Sequence, residues 1–361
     1  MTEIAVQPPP APLPLVELTR AAADEIALVY VSDEEPGLRR KRAGTGFFYL
    51  DAKGRKVSDG STLERIRALA IPPAWTDVWI SAEKDGHIQA TGRDQKGRKQ
   101  YRYHERWAAC RDEVKYGSLV DFADALPTLR ARIDGDLRRR SPSFERVAAA
   151  VVWLLDNTMI RVGNSSYARD NGSFGLTTLR DKHVRIEGDR IRFAFKGKSG
   201  KEWRLGLRDR RIARIVKDAQ DIPGQHLFQY FDEAGARRAI RSQDINDYIR
   251  EATGSAFTSK HFRTWGGTVL GAATLADTPL PETKAGQRKA LVGAIDTVAS
   301  HLGNTRSVCR KCYIHPIVIA AWEDGSLTER LMAARRSFRK LREGLDESEM
   351  VVLRLLEQAK P

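Results

Sequence analysis

A tyrosine close to several cations is the feature of this sequence best suited to chemistry on a phosphate. Tyr313 follows Arg310 and Lys311, and the polar turn Asn304-Thr305 precedes them. A phenol has a pKa of about 10 in water, and neighbouring cations favour the phenolate, which makes Tyr313 a candidate nucleophile. A core tyrosine on a basic surface helix would give the same pattern, so this segment alone leaves both interpretations open.

Three more cations lie where the chain is expected to turn or to end an element. Arg161 is placed in the final turn of a hydrophobic helix, Lys198 at a hairpin tip between glycines, and Arg263 beside a glycine pair. A guanidinium matches the oxygens of a phosphate, so Arg263 is a candidate phosphate ligand. Each position also has an ordinary interpretation, because arginines stabilise helix C-termini and turn lysines are commonly only solvated.

A basic loop leads into a strand that carries two tyrosines. Gln100, Arg102 and His104 alternate with Tyr101 and Tyr103, so each set faces one side of the strand. Cations in such a loop neutralise phosphates, while Gln and Tyr offer hydrogen bonds to bases or phosphates. The strand is a candidate contact with duplex DNA, although an ordinary half-buried edge strand fits equally well.

The net charge favours a polyanionic partner. The 361-residue chain carries a formal charge of +14, and a basic surface is the electrostatic footprint of a polyanion ligand. An anionic membrane is the alternative, but no apolar run approaches the length of a bilayer span and the basic residues are spread along the chain. Nucleic acid is therefore the preferred partner, without a membrane.

The cysteines indicate a reducing compartment. Only Cys110, Cys309 and Cys312 occur, and this set is sparse and odd in number. The spacing Cys309-x-x-Cys312 fits half a zinc site or a redox pair, but His301 and His315 flank it without completing a standard pattern. We expect no metal site, no targeting segment and a cytoplasmic, nucleoid-associated protein.

Two apolar helices are predicted to lead into the candidate residues. Periodic apolar positions indicate a helix over residues 285–301, which Gly303 would end. A second helix, around Val151, is expected to continue to near Gly163 and so to contain Arg161 in its last turn.

Strand and helix signals outline the remaining elements. Alternating apolar residues over 183–207 predict a three-stranded meander with Lys198 at its second turn. Ser61 and Glu64 predict a capping box in the β-rich N-terminal third, and Ser326 and Glu329 predict another. Further helices are expected at 316–323, 327–343 and 346–358.

The fold class that follows is α+β, with a small β-rich N-terminal domain and a larger, mostly α-helical domain that contains the meander. The length of the chain exceeds that of one ordinary core. We predict a disordered Pro-rich tail at residues 1–14, the β-rich domain at 15–107 and the helical domain at 108–361.

The order and context of these residues resemble the catalytic set of type IB DNA topoisomerases, specifically the small poxvirus-like branch also found in bacteria. The resemblance covers roughly residues 35–325. The motifs that carry it are Pro72-Pro73-Ala74-Trp75-Thr76-Asp77-Val78, Lys96-Gly97-Arg98-Lys99-Gln100-Tyr101, Met159-Ile160-Arg161-Val162-Gly163, Gly175-Leu176-Thr177-Thr178-Leu179, Phe195-Lys196-Gly197-Lys198 and Arg263-Thr264-Trp265-Gly266. Each motif is weak alone, but the ordered series is specific.

The resemblance implies a role for each catalytic candidate. Tyr313 would attack a backbone phosphorus to leave a 3′-phosphotyrosyl enzyme and a free 5′-hydroxyl. Arg161 and Arg263 would bind the nonbridging oxygens, and Lys198 would protonate the departing 5′-oxygen. Asn304 would add a hydrogen bond to a nonbridging oxygen. The enzyme would relax supercoiled DNA and religate it without ATP, metal or a small-molecule cofactor.

The resemblance also implies the DNA-binding residues and the architecture. Gln100, Tyr101 and Tyr103 would contact DNA from the N-terminal domain, and Tyr167 and Lys260 from the catalytic domain. The two domains would close as a clamp on duplex DNA, with a catalytic fold of the topoisomerase IB and tyrosine recombinase type. That geometry suits a monomer.

Some positions depart from the family's pattern. The family's frequent histidine at the Gly-His-Thr position is Asn304 here, which donates a hydrogen bond but carries no charge. Basic residues of the poxvirus pattern appear as Asn164 and Ser166, while Tyr167 keeps its place. We therefore expect little histidine-type pH dependence, and the changes at Asn164 and Ser166 weaken any transfer of the poxvirus sequence preference.

Two other classes of protein fit part of the pattern. Tyrosine recombinases share the chemistry, but they usually carry His-x-x-Arg where this chain has Lys260-His261-Phe262-Arg263, and they lack the β-rich N-terminal domain. A non-catalytic basic DNA-binding protein explains the charge but leaves the ordered residues a coincidence. The topoisomerase is the preferred interpretation.

Overall fold

The computed structural model describes residues 28–95 and 97–359, with the side chains in those ranges except at 108–115, 166, 167 and 199. The predicted tail at 1–14 and Lys96 lie outside the described residues. The chain divides into two compact units between Gly117 and Ser118, later than the predicted boundary at residue 107.

Five antiparallel strands form the sheet of the N-terminal unit, in the order β2-β1-β3-β4-β5. The strands are β1 Leu38–Ala43, β2 Gly46–Leu50, β3 Thr76–Ile80, β4 Ile88–Arg93 and β5 Lys99–Tyr103. Helix α1 (Gly60–Ala68) buries Ile66 in a cluster with Val78 and Ile80 of β3. This sheet confirms the β-rich N-terminal domain.

The N-terminus of α1 differs from the prediction. The side chain of Asp59 accepts hydrogen bonds from the backbone N–H of Thr62 and the hydroxyl of Ser61, each at 2.7 Å. The capping box predicted from Ser61 and Glu64 is wrong, because an earlier carboxylate is the stronger acceptor for the first-turn N–H groups.

The second unit is mostly helical and contains the predicted three-stranded sheet. Its strands β6 Val184–Glu187, β7 Arg190–Lys196 and β8 Glu202–Arg208 pair antiparallel in that order, and a short hairpin joins β9 Gln229–Phe231 to β10 Arg237–Ala239. The helices, the first of which begins in the N-terminal unit, are α2 Glu105–Leu137, α3 Phe144–Thr158, α4 Ser165–Asn171, α5 Arg210–Gln220, α6 Ser242–Thr253, α7 Ser259–Ala276, α8 Lys284–Leu302, α9 Arg306–Cys312, α10 Pro316–Glu323, α11 Leu327–Arg336 and α12 Glu347–Glu357.

Helix α3 lies in the core of this unit but ends earlier than predicted. Met159 takes a left-handed conformation with φ of 53°, and its N–H binds the carbonyl of Leu155 at 3.1 Å. Arg161 therefore follows the helix instead of lying in its last turn. The prediction was wrong because burial continues past the helix end: Ile160 is 1% exposed, so the apolar pattern conceals the turn.

The helices near the C-terminus agree with the predictions except in α11. That helix ends at Arg336, seven residues short of the predicted 343. The capping box expected from Ser326 and Glu329 is absent, because Ser326 has φ −88° and ψ −8° and makes no side-chain cap bond. Helix α8 matches its prediction, and Gly303 ends it with φ of 57°.

One guanidinium joins three helices of the second unit. Arg130 of α2 donates to both carboxylate oxygens of Asp156 in α3, at 2.8 and 2.9 Å, and to both of Glu349 in α12, at 2.7 and 2.8 Å. The indole N–H of Trp265 in α7 donates to Glu349 at 3.0 Å. The C-terminal helix is thus tied to the core by a largely buried charge network.

Replacing Arg130 with Met leaves two acids without their shared cation. Because breaking a buried ion pair from one side strands the other charge, we expect the free energy of unfolding to fall by roughly 3–5 kcal/mol in urea denaturation. Arg138→Met, one residue beyond the end of the same helix, is the matched control, since its pair with Asp134 is exposed and its loss should cost at most about 1 kcal/mol. Equal small losses in both variants would show that the network does not hold α12.

Candidate active site

Tyr313 lies directly after α9, where its N–H binds the carbonyl of Cys309 at 3.0 Å. Helix α7 packs against its backbone: the hydroxyl of Thr268 donates to the Tyr313 carbonyl at 3.3 Å. A Cβ added at Gly267 would lie 2.7 Å from the same oxygen. Glycine is therefore required for α7 to come this close to the tyrosine.

Arg263 of α7 lies beside the phenol, with its guanidinium carbon 5.0 Å from the centre of the Tyr313 ring. It is 4% exposed. Its terminal nitrogens donate to the carbonyls of Met159 and of Leu302, the latter at 2.7 Å. Both carbonyls lie at helix C-termini, where they lack helical partners. The remaining donor, Nε, is buried and has no acceptor within the described ranges.

Arg161 and Asn304 bind each other. One guanidinium nitrogen of Arg161 donates to the side-chain oxygen of Asn304, and another lies 3.5 Å from the carbonyl of Gly303. Because a guanidinium has only donors, this contact orients the amide oxygen of Asn304 toward Arg161. The amide nitrogen of Asn304 is then a buried donor with no acceptor among residues 28–95 and 97–359.

A close contact between glycines holds the backbone at Arg161. Gly163 has φ of 106°, and a Cβ added at Gly175 would lie 2.6 Å from its Cα and 2.5 Å from the carbonyl oxygen of Arg161. That carbonyl accepts the N–H of Leu176 at 2.9 Å. The segment from Gly175 to Leu176 therefore supports the loop that carries Arg161.

The arginines shift the ionisation of the tyrosine. Burial raises the pKa of the Tyr313 phenol, but the charge and hydrogen bond of Arg263 and the charge of Arg161 outweigh it, so this pKa lies below its usual value. Burial, together with the charge of Arg263, lowers the pKa of Arg161 to about 10. Burial also lowers the pKa of Arg263. Two neighbouring cations in a partly desolvated site favour an anionic ligand.

Lys198 is exposed at the tip of the hairpin between β7 and β8, in the 3₁₀ turn Lys198–Gly200. The same hairpin reaches the turn that carries Asn304. The ammonium of Lys201 donates to the Asn304 carbonyl, and the indole of Trp203 lies against Gly303. Sequence reasoning missed Lys201 and Trp203, because nothing in the alternation of a strand shows which side chains reach another element.

The structure thus brings together Arg161, Arg263, Asn304 and Tyr313, and it places Lys198 on a hairpin that contacts the same turn. All five residues belong to the catalytic set chosen from the sequence. The role of each side chain in catalysis stays a prediction.

The predicted DNA contacts differ in their surroundings. Tyr101 and Tyr103 of β5 are exposed, and their rings stack with centres 5.8 Å apart. Gln100 is half-buried and its amide donates to Asp94 at 2.9 Å. Lys260 is exposed in the first turn of α7. The side chain of Tyr167 lies outside the described residues.

The sequence also raised a metal site, a redox cysteine pair and a membrane as alternatives, and the described ranges bear on each. No group of three or more His, Cys, Asp or Glu side chains there is placed to hold a metal ion. Cys309 is buried in α9, where burial raises the pKa of its thiol to about 11. No helix in the same ranges is long and apolar enough to cross a bilayer.

Comparison with known proteins places both units in one family. A family model described as the catalytic core of eukaryotic DNA topoisomerase I matches residues 99–336, and one for the N-terminal domain of bacterial DNA topoisomerase IB matches residues 46–94. DNA topoisomerase 1B of Acanthamoeba polyphaga mimivirus is 35% identical over 285 residues, which cover 77% of this chain and 85% of the viral protein. DNA topoisomerase 1B of vaccinia virus (strain Copenhagen) is 24% identical over 275 residues, which cover 74% and 83%.

The core model spans more than half of the chain, and these matches confirm the resemblance drawn from the motifs. They also confirm the fold class, a five-stranded antiparallel sheet followed by a largely helical core with a three-stranded sheet. The chain therefore belongs to the type IB DNA topoisomerases, in the small branch with viral and bacterial members, and is an isomerase with type IB topoisomerase activity.

Proposed function

We propose that this protein relaxes supercoiled duplex DNA by cleaving one strand with Tyr313 and resealing it, without ATP or metal. The observation that carries the proposal is the convergence of Arg161, Arg263 and Asn304 around the phenol. Two buried donors in this group, Arg263 Nε and the amide nitrogen of Asn304, have no acceptor in the described part of the chain. A buried donor without a partner is costly, and a phosphate supplies both the missing oxygens and a compensating charge.

In the cleavage step, the Tyr313 phenolate attacks phosphorus as the bond from phosphorus to the 5′-oxygen breaks. Arg161 and Arg263 bind the nonbridging oxygens, where negative charge grows in the transition state. Asn304 donates a neutral hydrogen bond to the same oxygens. Lys198 transfers a proton to the departing 5′-oxygen and so releases a 5′-hydroxyl.

Religation runs the same steps in reverse. The 5′-hydroxyl returns its proton to Lys198 and attacks the 3′-phosphotyrosine, which restores the phosphodiester and releases the Tyr313 phenolate. The covalent bond conserves the energy of the broken linkage, so resealing requires no nucleotide. Torsion in supercoiled DNA drives rotation of the free strand while the other end stays attached.

The DNA contacts and the monomeric state belong to the same proposal. Tyr101, Tyr103 and Gln100 would contact the duplex from the N-terminal unit, and Lys260 and Tyr167 from the catalytic unit. The exposed aromatic rings of β5 and the exposed cation of α7 support this assignment. The active-site contacts all come from one unit of one chain, which supports a monomer. Its proposed substrate is cytoplasmic, nucleoid DNA. Affinity should fall with salt through counterion release.

The electrostatic activation of Tyr313 can be tested by removing one cation. Arg161→Gln removes a positive charge that lowers the pKa of Tyr313, so this pKa should rise and the phenolate should form at higher pH. The pKa is measured from the tyrosinate absorbance as the difference between each protein and its Tyr313→Phe counterpart. Arg214→Gln, an exposed arginine of α5, is the control and should leave the value unchanged. An unchanged pKa in Arg161→Gln would contradict the electrostatic account.

Relaxation in EDTA tests the overall reaction. The wild-type protein should relax supercoiled plasmid in EDTA, because the proposed chemistry uses only side chains. The linking number should change in steps of one, because only one strand is cleaved. Tyr313→Phe should bind the plasmid as well as the wild type but leave it supercoiled, whereas the control Tyr230→Phe should relax it. Nicking that persists in Tyr313→Phe would refute the nucleophile. Strand exchange between sites would indicate a recombinase, and retardation without relaxation a binding protein.

A further inference from the structure

The hairpin tip with Lys198 is packed against the turn with Asn304 through one tryptophan. The indole of Trp203 lies between two glycines. A Cβ added at Gly197 would lie 2.7 Å from Cδ1 of Trp203, and one added at Gly303 would lie 2.6 Å from Cζ2. Any larger residue at either position would displace the ring. Trp203 therefore spans from the residue before Lys198 to the residue before Asn304.

Lys201 makes a second connection between the same two segments. Its ammonium donates to the backbone carbonyl of Asn304. Its own carbonyl accepts the N–H of Gly197 at 2.8 Å, which closes the turn that contains Lys198. Lys201 thus bonds both to the turn that contains Lys198 and to the turn that contains Asn304. A shift of the hairpin relative to the Asn304 turn would break a charge-assisted hydrogen bond.

We propose that Lys201 is a positioning residue which, with Trp203, docks the Lys198 hairpin on the turn Gly303-Asn304. The inference rests on the proposed role of Lys198 as general acid. The Lys198 side chain is exposed and has many rotamers, so proton transfer depends on where its turn is held. Docking fixes the turn that carries the proton donor relative to the residues that bind the phosphate, and so limits the positions that the ammonium can reach. A displacement of about 1 Å is enough to cost roughly 100-fold in rate.

A substrate with a bridging sulfur distinguishes an effect of Lys201 through Lys198 from any other effect of replacing Lys201. A duplex with sulfur in place of the 5′-oxygen has a leaving group that needs no proton, so it bypasses the general acid. The test compares single-turnover cleavage of the oxygen and sulfur duplexes. Lys201→Met removes the hydrogen-bond donor and keeps an unbranched side chain that is one atom shorter, and Lys201→Arg restores a donor. Lys196→Met removes the same charge from the same hairpin and serves as the control.

The expected pattern is specific to action through Lys198. Lys201→Met should cleave the oxygen duplex roughly 10- to 100-fold more slowly than the wild type and the sulfur duplex at the wild-type rate. Lys201→Arg should recover most of the oxygen rate. Lys198→Ala should show the same rescue by sulfur, and adding Lys201→Met to it should cause no further loss. Trp203→Phe, which keeps an aromatic ring, should resemble Lys201→Met in a milder form.

Three results would overturn the inference. Slow cleavage of both duplexes by Lys201→Met would show that the substitution acts through Asn304 or through folding and not through Lys198. An unchanged oxygen rate would show that the contact does not matter. A further loss in the double variant would make Lys201 an independent participant. If Lys198→Ala itself is not rescued by sulfur, the proposed general acid is wrong, a failure that is distinct from the other three.

Discussion

The active site depends on two guanidinium groups that are fixed in place without being neutralised. Arg263 is held by the carbonyls of Met159 and Leu302, and Arg161 by the side-chain oxygen of Asn304. Within the described ranges, neither arginine has a carboxylate within ion-pair distance. Arg130 shows the opposite arrangement, since two carboxylates surround it and offset its charge. Dipolar acceptors give position and leave the positive charge for a phosphate.

The fold supplies these acceptors at the ends of helices. Helices α3 and α8 both end in a left-handed residue, Met159 and Gly303, so their last carbonyls are not used within the helix. Arg263 lies on α7 and donates hydrogen bonds to one carbonyl at the C-terminal end of α3 and one at the C-terminal end of α8. The close approach at Gly267 then places Tyr313 against the same guanidinium. The charge that would bind the phosphate also lowers the pKa of Tyr313, the proposed nucleophile.

The sequence predicted the elements better than it predicted the junctions between them. Apolar periodicity was enough for α8 and for the meander, because α8 buries one face from Leu291 to Leu302 and every second residue of β7 and β8 is buried or half-buried. It failed at Met159, since Ile160 stays buried after the chain has left the helix. The capping boxes predicted at Ser61 and Ser326 were wrong for a related reason. The neighbouring carboxylate of Asp59 caps the first helix, and the backbone dihedrals of Ser326 exclude it as the cap of α11.

The residues of the candidate site were found from the order of motifs, and the contacts between them were not. No local pattern places Arg161 against Asn304 across 143 positions of the chain. Trp203 lies in the alternating strand β8, whose pattern predicts only which face it occupies, and Lys201 lies in the turn just before that strand. Their contacts with Gly303 and Asn304 depend on how the hairpin meets the end of α8, which is a property of the tertiary fold.

The covalent intermediate tests the central claim most directly. A duplex whose short 5′-hydroxyl fragment dissociates after cleavage would trap the protein on DNA, and mass spectrometry after protease and nuclease digestion would locate the attached nucleotide. The account predicts a 3′-phosphonucleotide on Tyr313 and a free 5′-hydroxyl on the released fragment. A nucleotide on any other side chain, or attachment through a 5′-phosphate, would contradict it.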